Sequence, residues 1–126
     1  MPAAVTFFGL NNMDEQPHNL LLDLPNAQAG EVFTELLARP GLRIERIVSA
    51  GQSSKDDFFY DQEQAEWILL LQGGAELELE GRIQPVKLQQ GSCLHIPAHC
   101  RHRVLSTSKQ VQTVWLAIHF NEEGEY

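Results

Sequence analysis

The alternation of apolar and polar positions along the chain predicts a protein built from short β-strands. The clearest pattern lies in residues 75–80, where Ala75, Leu77 and Leu79 alternate with three glutamates. A period of two places the apolar side chains on one face of a strand and the glutamates on the other. We interpret the glutamate face as a solvated sheet face, which is common in antiparallel sheets, and not as a cation site.

Further strands are predicted where apolar, β-branched and aromatic residues cluster between turn residues. These segments are residues 43–49, 66–71, 92–96, 102–105 and 111–120. Residues 31–38 fit either a helix or a strand, and we favour a strand because Pro40 and Gly41 suit a hairpin turn. The short spacing between turn residues is typical of an all-β sandwich or barrel and not of βαβ units.

The chain has 126 residues, which is enough for one domain with its own core. We expect an irregular N-terminal arm over residues 1–19, a barrel over residues 20–120 and an acidic tail over residues 121–126. The longest unbroken apolar run is residues 67–71. A membrane-spanning helix needs about 20 apolar residues, so we expect no membrane partner.

The charge balance narrows the possible partners and the compartment. The chain carries 17 acidic and 9 basic side chains and a formal net charge of −8, which argues against nucleic acid and anionic membranes as partners. No Lys or Arg precedes Arg39, so we expect neither a secretory signal nor an Arg-rich transit peptide. We interpret Cys93 and Cys100 as free thiols and expect a cytoplasmic protein.

Candidate chemistry is concentrated in two places along the chain. Three of the five histidines, His95, His99 and His102, lie close together, and histidine is the most common metal ligand. Glu66 directly precedes an apolar strand, where a buried carboxylate needs a cation or a donor. His95 and His119 alternate with apolar strand residues, and we interpret both as hydrogen-bonded sheet histidines and not as ligands.

Glu66 and Gly73, followed by Gly91, Pro97 and His102, resemble the two sequence motifs of the cupin superfamily. The resemblance covers about residues 42–120. It implies an all-β, cupin-type double-stranded β-helix, that is, a jelly-roll barrel with its site inside. It also implies a homodimer, because small cupins commonly pair and short exposed strands need to be covered.

The motif positions also depart from those of metal-binding cupins, in which two histidines, a glutamate and a third histidine hold one divalent ion. The positions of the first two histidines are occupied here by Tyr60 and Gln62. Residue by residue, the resemblance therefore retains Glu66 and His102 as metal ligands. His99 stands at a glycine position of the motif and offers an additional imidazole nearby.

Three functions remain open at this point. In the first, which we favour, Glu66, His99 and His102 hold a divalent metal (Zn, Fe, Mn or Ni), and a small molecule binds or reacts at that centre. Tyr60 and Gln62 would then be weak ligands or pocket residues. In the second, a metal-free pocket binds a small ligand or performs acid–base chemistry. In the third, the protein is a non-catalytic binding or dimerisation module. The sequence decides neither the catalytic residues nor whether the protein is an enzyme.

Overall fold

A computed structural model describes residues 4–7 and 16–122 of the chain. These residues form nine β-strands and no helix, which confirms the predicted all-β class. The strands are β1 (Ala4–Phe7), β2 (Val32–Arg39), β3 (Leu42–Ser49), β4 (Ala65–Gln72), β5 (Gly74–Leu79), β6 (Val86–Gln89), β7 (Cys93–Ile96), β8 (His102–Thr107) and β9 (Thr113–Phe120). Within the described part of the chain, no helix is long and apolar enough to cross a membrane.

The strands form two sheets. The larger sheet has the order β1-β2-β3-β9-β4-β7, and the smaller has the order β6-β5-β8. The pair β1 and β2 is parallel, and the other strand pairs are antiparallel. The chain passes directly from β4 in the larger sheet to β5 in the smaller one. β6 also belongs to the smaller sheet, and β7, β8 and β9 then alternate between the two sheets.

The hairpin predicted from Pro40 and Gly41 is confirmed. Arg39 pairs with Leu42 across this two-residue turn, and Gly41 has a φ of +76°, a conformation that favours glycine. The arm expected over residues 1–19 includes the edge strand β1, so it is not irregular throughout. Residues 1–3, 8–15 and 123–126 lie outside the described residues.

The core lies between the two sheets and follows the predicted alternation. On β5, Ala75, Leu77 and Leu79 are 7%, 2% and 4% exposed, whereas the intervening glutamates are half-buried. The buried core cluster consists of Ile68, Leu70, Ala75, Leu77, Leu79, Leu88, Ile96, Trp115 and Ala117.

Gly73 connects the two sheets at a point where no side chain fits. Its φ is +90°, and a Cβ atom built on it would lie 2.7 Å from the Thr113 Cα. A register shift between Leu70 and Gln72 precedes this connection. The backbones of Gly73 and Thr113 therefore approach too closely for any larger residue.

We expect Gly73→Ala to destabilise the protein by about 2–4 kcal/mol, because it adds steric overlap to an unfavourable φ. Gly81→Ala is the matched control: Gly81 has a φ of +87°, but an added Cβ would meet nothing within 4 Å. The control should lose only about 1–2 kcal/mol. Urea denaturation of both variants measures the difference, and equal losses would show that the contact with Thr113 is unimportant.

Candidate functional site

A cavity of about 610 Å³ lies between the two sheets. Its walls come from the loop of residues 53–62 and from inward-facing residues of most strands. Apolar side chains, among them Ile68, Leu77 and Trp115, line one part, and ionisable side chains line the other. A cavity of this size and mixed lining is typical of small-molecule sites.

Glu66, the carboxylate predicted as a site residue, is buried in this cavity. It lies near the start of β4, is 8% exposed, and pairs in register with His119 on one side and Ile96 on the other. Its Oε1 lies 3.7 Å from the His102 Nε2, which is within ion-pair range but longer than a hydrogen bond. The structure therefore brings together Glu66 and His102, the two motif residues that the sequence retained.

His102 is held in one orientation by backbone and ring contacts. It is 6% exposed, and its backbone exchanges two hydrogen bonds with Tyr60, of 2.7 and 3.1 Å. The imidazole stacks on the Tyr60 ring at a centroid distance of 5.4 Å. Its Nδ1 donates a 2.9 Å hydrogen bond to the carbonyl of Cys100, since a carbonyl can only accept. In the neutral imidazole the Nε2 therefore carries the free lone pair, on the Glu66 side of the ring.

Burial raises the pKa of the Glu66 carboxyl above its usual range. The positive charges of His119 and His102 act in the opposite direction, and the Glu45 carboxylate adds to the increase. Burial also raises the pKa of Tyr60, with contributions from the negative charges of Glu31 and Glu66. Both pKa shifts are in the direction that favours the protonated form, as expected for proton donors in a low-dielectric cavity.

His119 and Glu45 form a second buried pair in the same cavity. The His119 Nε2 lies 2.9 Å from the Glu45 Oε1, and the Arg43 guanidinium lies 3.8 Å from the same oxygen. His119 is hydrogen-bonded, as the sequence analysis predicted, but it also faces the cavity. The alternation along β9 was the signal for this: His119 is two and four residues from Ala117 and Trp115, which both face inward, so it lies on the same face of the strand. Glu45 was missed because a charged residue in an apolar strand does not reveal its side of the sheet.

The structure does not bring His99 to Glu66 and His102. The His99 side chain is 65% exposed, and its Nδ1 lies 2.8 Å from the Asp61 Oδ1. Its backbone N–H donates to the carbonyl of Gln62, and its φ is +61°. His99 therefore lies in the turn between β7 and β8, outside the cavity. It lines a surface depression that shares Arg43, Gln62 and His119 with the cavity.

Of the other predicted residues, Gln62 faces the cavity and His95 does not. Gln62 lines the cavity, as does Tyr60. His95 faces away from the core, as predicted, with its Nε2 3.0 Å from the Glu122 Oε2. Cys93 and Cys100 are free thiols, as expected.

A divalent metal is the cofactor that the resemblance implies, and the cavity residues can be tested for it. A metal centre generally requires three or more protein ligands. Across residues 16–122, no group of three or more His, Cys, Asp or Glu side chains is placed to hold an ion. Glu66 and His102 are close enough to share one, but His119 is engaged by Glu45. The arrangement thus does not fit a metal centre without rearrangement.

Comparison with known proteins identifies the family. Residues 46–119 match the model of the cupin domain family, so the chain belongs to the cupin superfamily, and the predicted small single-domain cupin is confirmed. No curated protein matches the chain significantly in sequence.

Solved structures support the same assignment. The crystal structure of a "putative mannose-6-phosphate isomerase" from Ralstonia eutropha JMP134 is 46% identical, with a TM-score of 0.81, over 84% of this chain and 98% of that one. A cupin superfamily protein from Desulfitobacterium hafniense DCB-2 is 21% identical, with a TM-score of 0.70, over 86% and 93% of the two chains. The Fe(II) form of HppE is 16% identical, with a TM-score of 0.61, over 71% and 50%. The last two show the cupin jelly-roll fold alone.

The raised pKa of Glu66 has a consequence for stability. Between the pKa of an unfolded glutamate, about 4.3, and the higher folded value, the native state binds more protons than the unfolded state. Stability due to this group therefore falls as the pH rises through that window. We expect Glu66→Gln, which is always neutral, to be more stable than the wild type at pH 7.5, by about 1 kcal/mol or more.

The measurement is urea denaturation at several pH values, and the advantage of Glu66→Gln should shrink as the pH falls through that window and be smallest below about 4. Glu76→Gln is the matched control, since Glu76 is a half-buried carboxylate on β5 outside this cavity and should change stability by less than about 0.5 kcal/mol. A Glu66→Gln variant that is less stable than the wild type at pH 7.5 would contradict the expectation.

Proposed function

We propose that the cavity binds a small organic molecule and transfers protons on it, without a metal. The observation that carries this proposal is the pair of Glu66 and His102, buried in the cavity and held at 3.7 Å. The bond from Nδ1 to the Cys100 carbonyl supports a role of the His102 Nε2 as general base. The raised pKa of Glu66 supports its role as general acid.

The proposed chemistry is the movement of a proton next to a carbonyl group. The His102 Nε2 takes a proton from a carbon beside the carbonyl, and the Glu66 carboxyl donates its proton to the carbonyl oxygen. Where that first carbon carries a hydroxyl, the protonated His102 returns its proton to the former carbonyl carbon, and the Glu66 carboxylate takes the proton of that hydroxyl. The carbonyl group has then moved by one carbon, and both residues are back in their starting states. The neutral Tyr60 hydroxyl, whose pKa is also raised, is available to orient the oxygen by donating a hydrogen bond. The relative from Ralstonia carries the name of an isomerase, which is consistent with this class of reaction.

The test is deuterium incorporation, because it detects proton removal even when no product is known. The wild-type protein is incubated in D₂O with neutral hydroxyaldehydes and hydroxyketones, their phosphate esters and their amine-bearing analogues, and the exchange is followed by NMR. We expect exchange beside the carbonyl of one class and a decrease of about 10²–10⁴-fold in Glu66→Gln and His102→Gln.

Glu76→Gln should retain the wild-type rate, since that residue does not line the cavity. Pretreatment with a chelator should also leave the rate unchanged. Exchange that persists in both cavity variants, or that is absent from every class, would contradict the proposal.

Binding of a divalent metal is the second candidate function. The separation of 3.7 Å between the Glu66 Oε1 and the His102 Nε2 favours it, because both atoms can lie about 2.0–2.2 Å from one ion. Its third ligand would be His119, released from Glu45, since His99 lies outside the cavity. Elemental analysis of protein purified without chelator, beside Glu66→Ala and His102→Ala, tests it: about one Zn, Fe, Mn or Ni per chain, lost in both variants, would establish this centre.

The homodimer and the cytoplasmic location expected from the sequence stay predictions. Light scattering of the purified chain, whose mass is 14.2 kDa, tests the first.

A further inference from the structure

We infer that the cavity selects a ligand with an organic cation, such as an ammonium group, and that the cation lies against the β2 wall, which we define as Glu31, Phe33 and Glu35. The inference deepens the proposed function, because it names the ligand class of the same cavity. It concerns binding, so it can be tested apart from proton transfer.

The β2 wall presents an aromatic ring between two carboxylates. Glu31, Phe33 and Glu35 are two residues apart and all line the cavity. Because side chains of a strand alternate between its faces, Phe33 and Glu35 lie on one face of β2. Glu31 directly precedes the strand and lines the same cavity. Glu31 accepts a 2.6 Å hydrogen bond from the Ser49 hydroxyl, which is a neutral donor and leaves the negative charge in place.

A second carboxylate lies opposite Glu35 on the neighbouring strand. Glu35 pairs in register with Glu45 of β3, and both line the cavity. Like charges at directly opposite positions of an antiparallel pair destabilise the sheet. His119 and Arg43 offset the charge of Glu45. A cation from a ligand would be attracted to Glu35 and would relieve the remaining repulsion.

The Lys and Arg side chains around the cavity do little to balance the carboxylates of the β2 wall. Among the described lining residues, the Lys and Arg are Arg43 and Lys55, and both are exposed. Arg103 is engaged elsewhere: its Nε lies 2.8 Å from the Glu78 Oε1. Even with Glu66 protonated and the charge of Glu45 offset by His119 and Arg43, Glu31 and Glu35 remain. The cavity is therefore a poor site for a phosphate or carboxylate group and a good one for a cation.

The aromatic lining favours an organic cation over a metal ion. Phe33, Phe58, Tyr60 and Trp115 line the cavity. An ammonium over an aromatic face gains about 0.5–2 kcal/mol, and the carbon atoms of the ligand gain from burial against the same rings. A bare metal ion would instead need several close ligand atoms, and residues 16–122 contain no group of three or more acidic, His or Cys side chains placed to supply them.

The experiment compares four probes that share a four-carbon chain: n-butylammonium, n-butanol, butyrate and butyl phosphate. Each is titrated into the full chain, and binding is followed by NMR at the Trp115 indole and the cavity backbone amides. We expect saturable binding of n-butylammonium at least about tenfold tighter than that of n-butanol, which corresponds to 1.4 kcal/mol, and no saturable binding of the two anions.

Variants locate the cation. Glu35→Gln and Glu31→Gln should each weaken n-butylammonium binding about tenfold, whereas Glu76→Gln, outside the cavity, should bind as the wild type does. Two variants are used because Glu31 also contacts Ser49, and an unfolded Glu31→Gln would leave Glu35→Gln as the test. Circular dichroism verifies the fold of each.

Three outcomes would overturn the inference: tighter binding of either anion than of n-butylammonium, equal binding of all four probes, or no saturable binding of n-butylammonium. Binding of Zn²⁺ that displaces n-butylammonium would also overturn the inference and would support the metal centre. Failure here is separate from failure of the proposed function. Deuterium exchange on neutral or phosphorylated compounds alone would uphold proton transfer and refute selection of a cation. Binding of the amine without any exchange would uphold selection of a cation and refute proton transfer.

Discussion

The backbone pairing between Tyr60 and His102 is the constraint on which the site depends. These two hydrogen bonds join the loop before β4 to the start of β8, although 42 positions of the chain separate the two residues. The pairing stacks the Tyr60 phenol on the His102 imidazole. The hydrogen bond from the His102 Nδ1 to the Cys100 carbonyl then fixes the rotation of the imidazole. With the ring so held, the Nε2 has one direction left, and that direction is toward Glu66.

A buried carboxylate at Glu66 is unfavourable for folding, and this is the second property that shapes the site. Replacing such a group with a neutral one commonly stabilises a protein, and residues retained against stability are often those that act on a ligand. Here the unfavourable desolvation raises the pKa of Glu66, which is the direction that a general acid requires. The apolar packing of Ile68, Leu70 and Leu77 beyond it supports the fold that tolerates this group.

The departures from the metal-binding pattern change the chemistry that the barrel can offer. An aromatic ring and an amide stand at Tyr60 and Gln62, where metal-binding cupins have imidazoles. A ring at position 60 stacks on His102 instead of sharing an ion with it. In this chain the barrel places His102 beside Glu66, and the fold alone does not decide whether such a pair serves a metal or proton transfer.

The sequence by itself determined the fold class, the hairpin at Pro40 and Gly41, and the pair of Glu66 and His102. Period-two alternation and turn residues are local signals, and the motif spacing ties its residues to particular strand ends. His99 shows where prediction from the sequence fails. It is only three positions from His102 in the chain, but the turn holds it at the surface beside Asp61 and outside the cavity.

Only the tertiary structure decided which polar residues share the cavity. Glu45 and His119 are 74 positions apart and meet because β3 and β9 are neighbours in the larger sheet. The β2 wall likewise faces inward only because β2 pairs with β3 in this register. Sheet order and register depend on the packing of the whole chain, so no pattern within one strand reveals them.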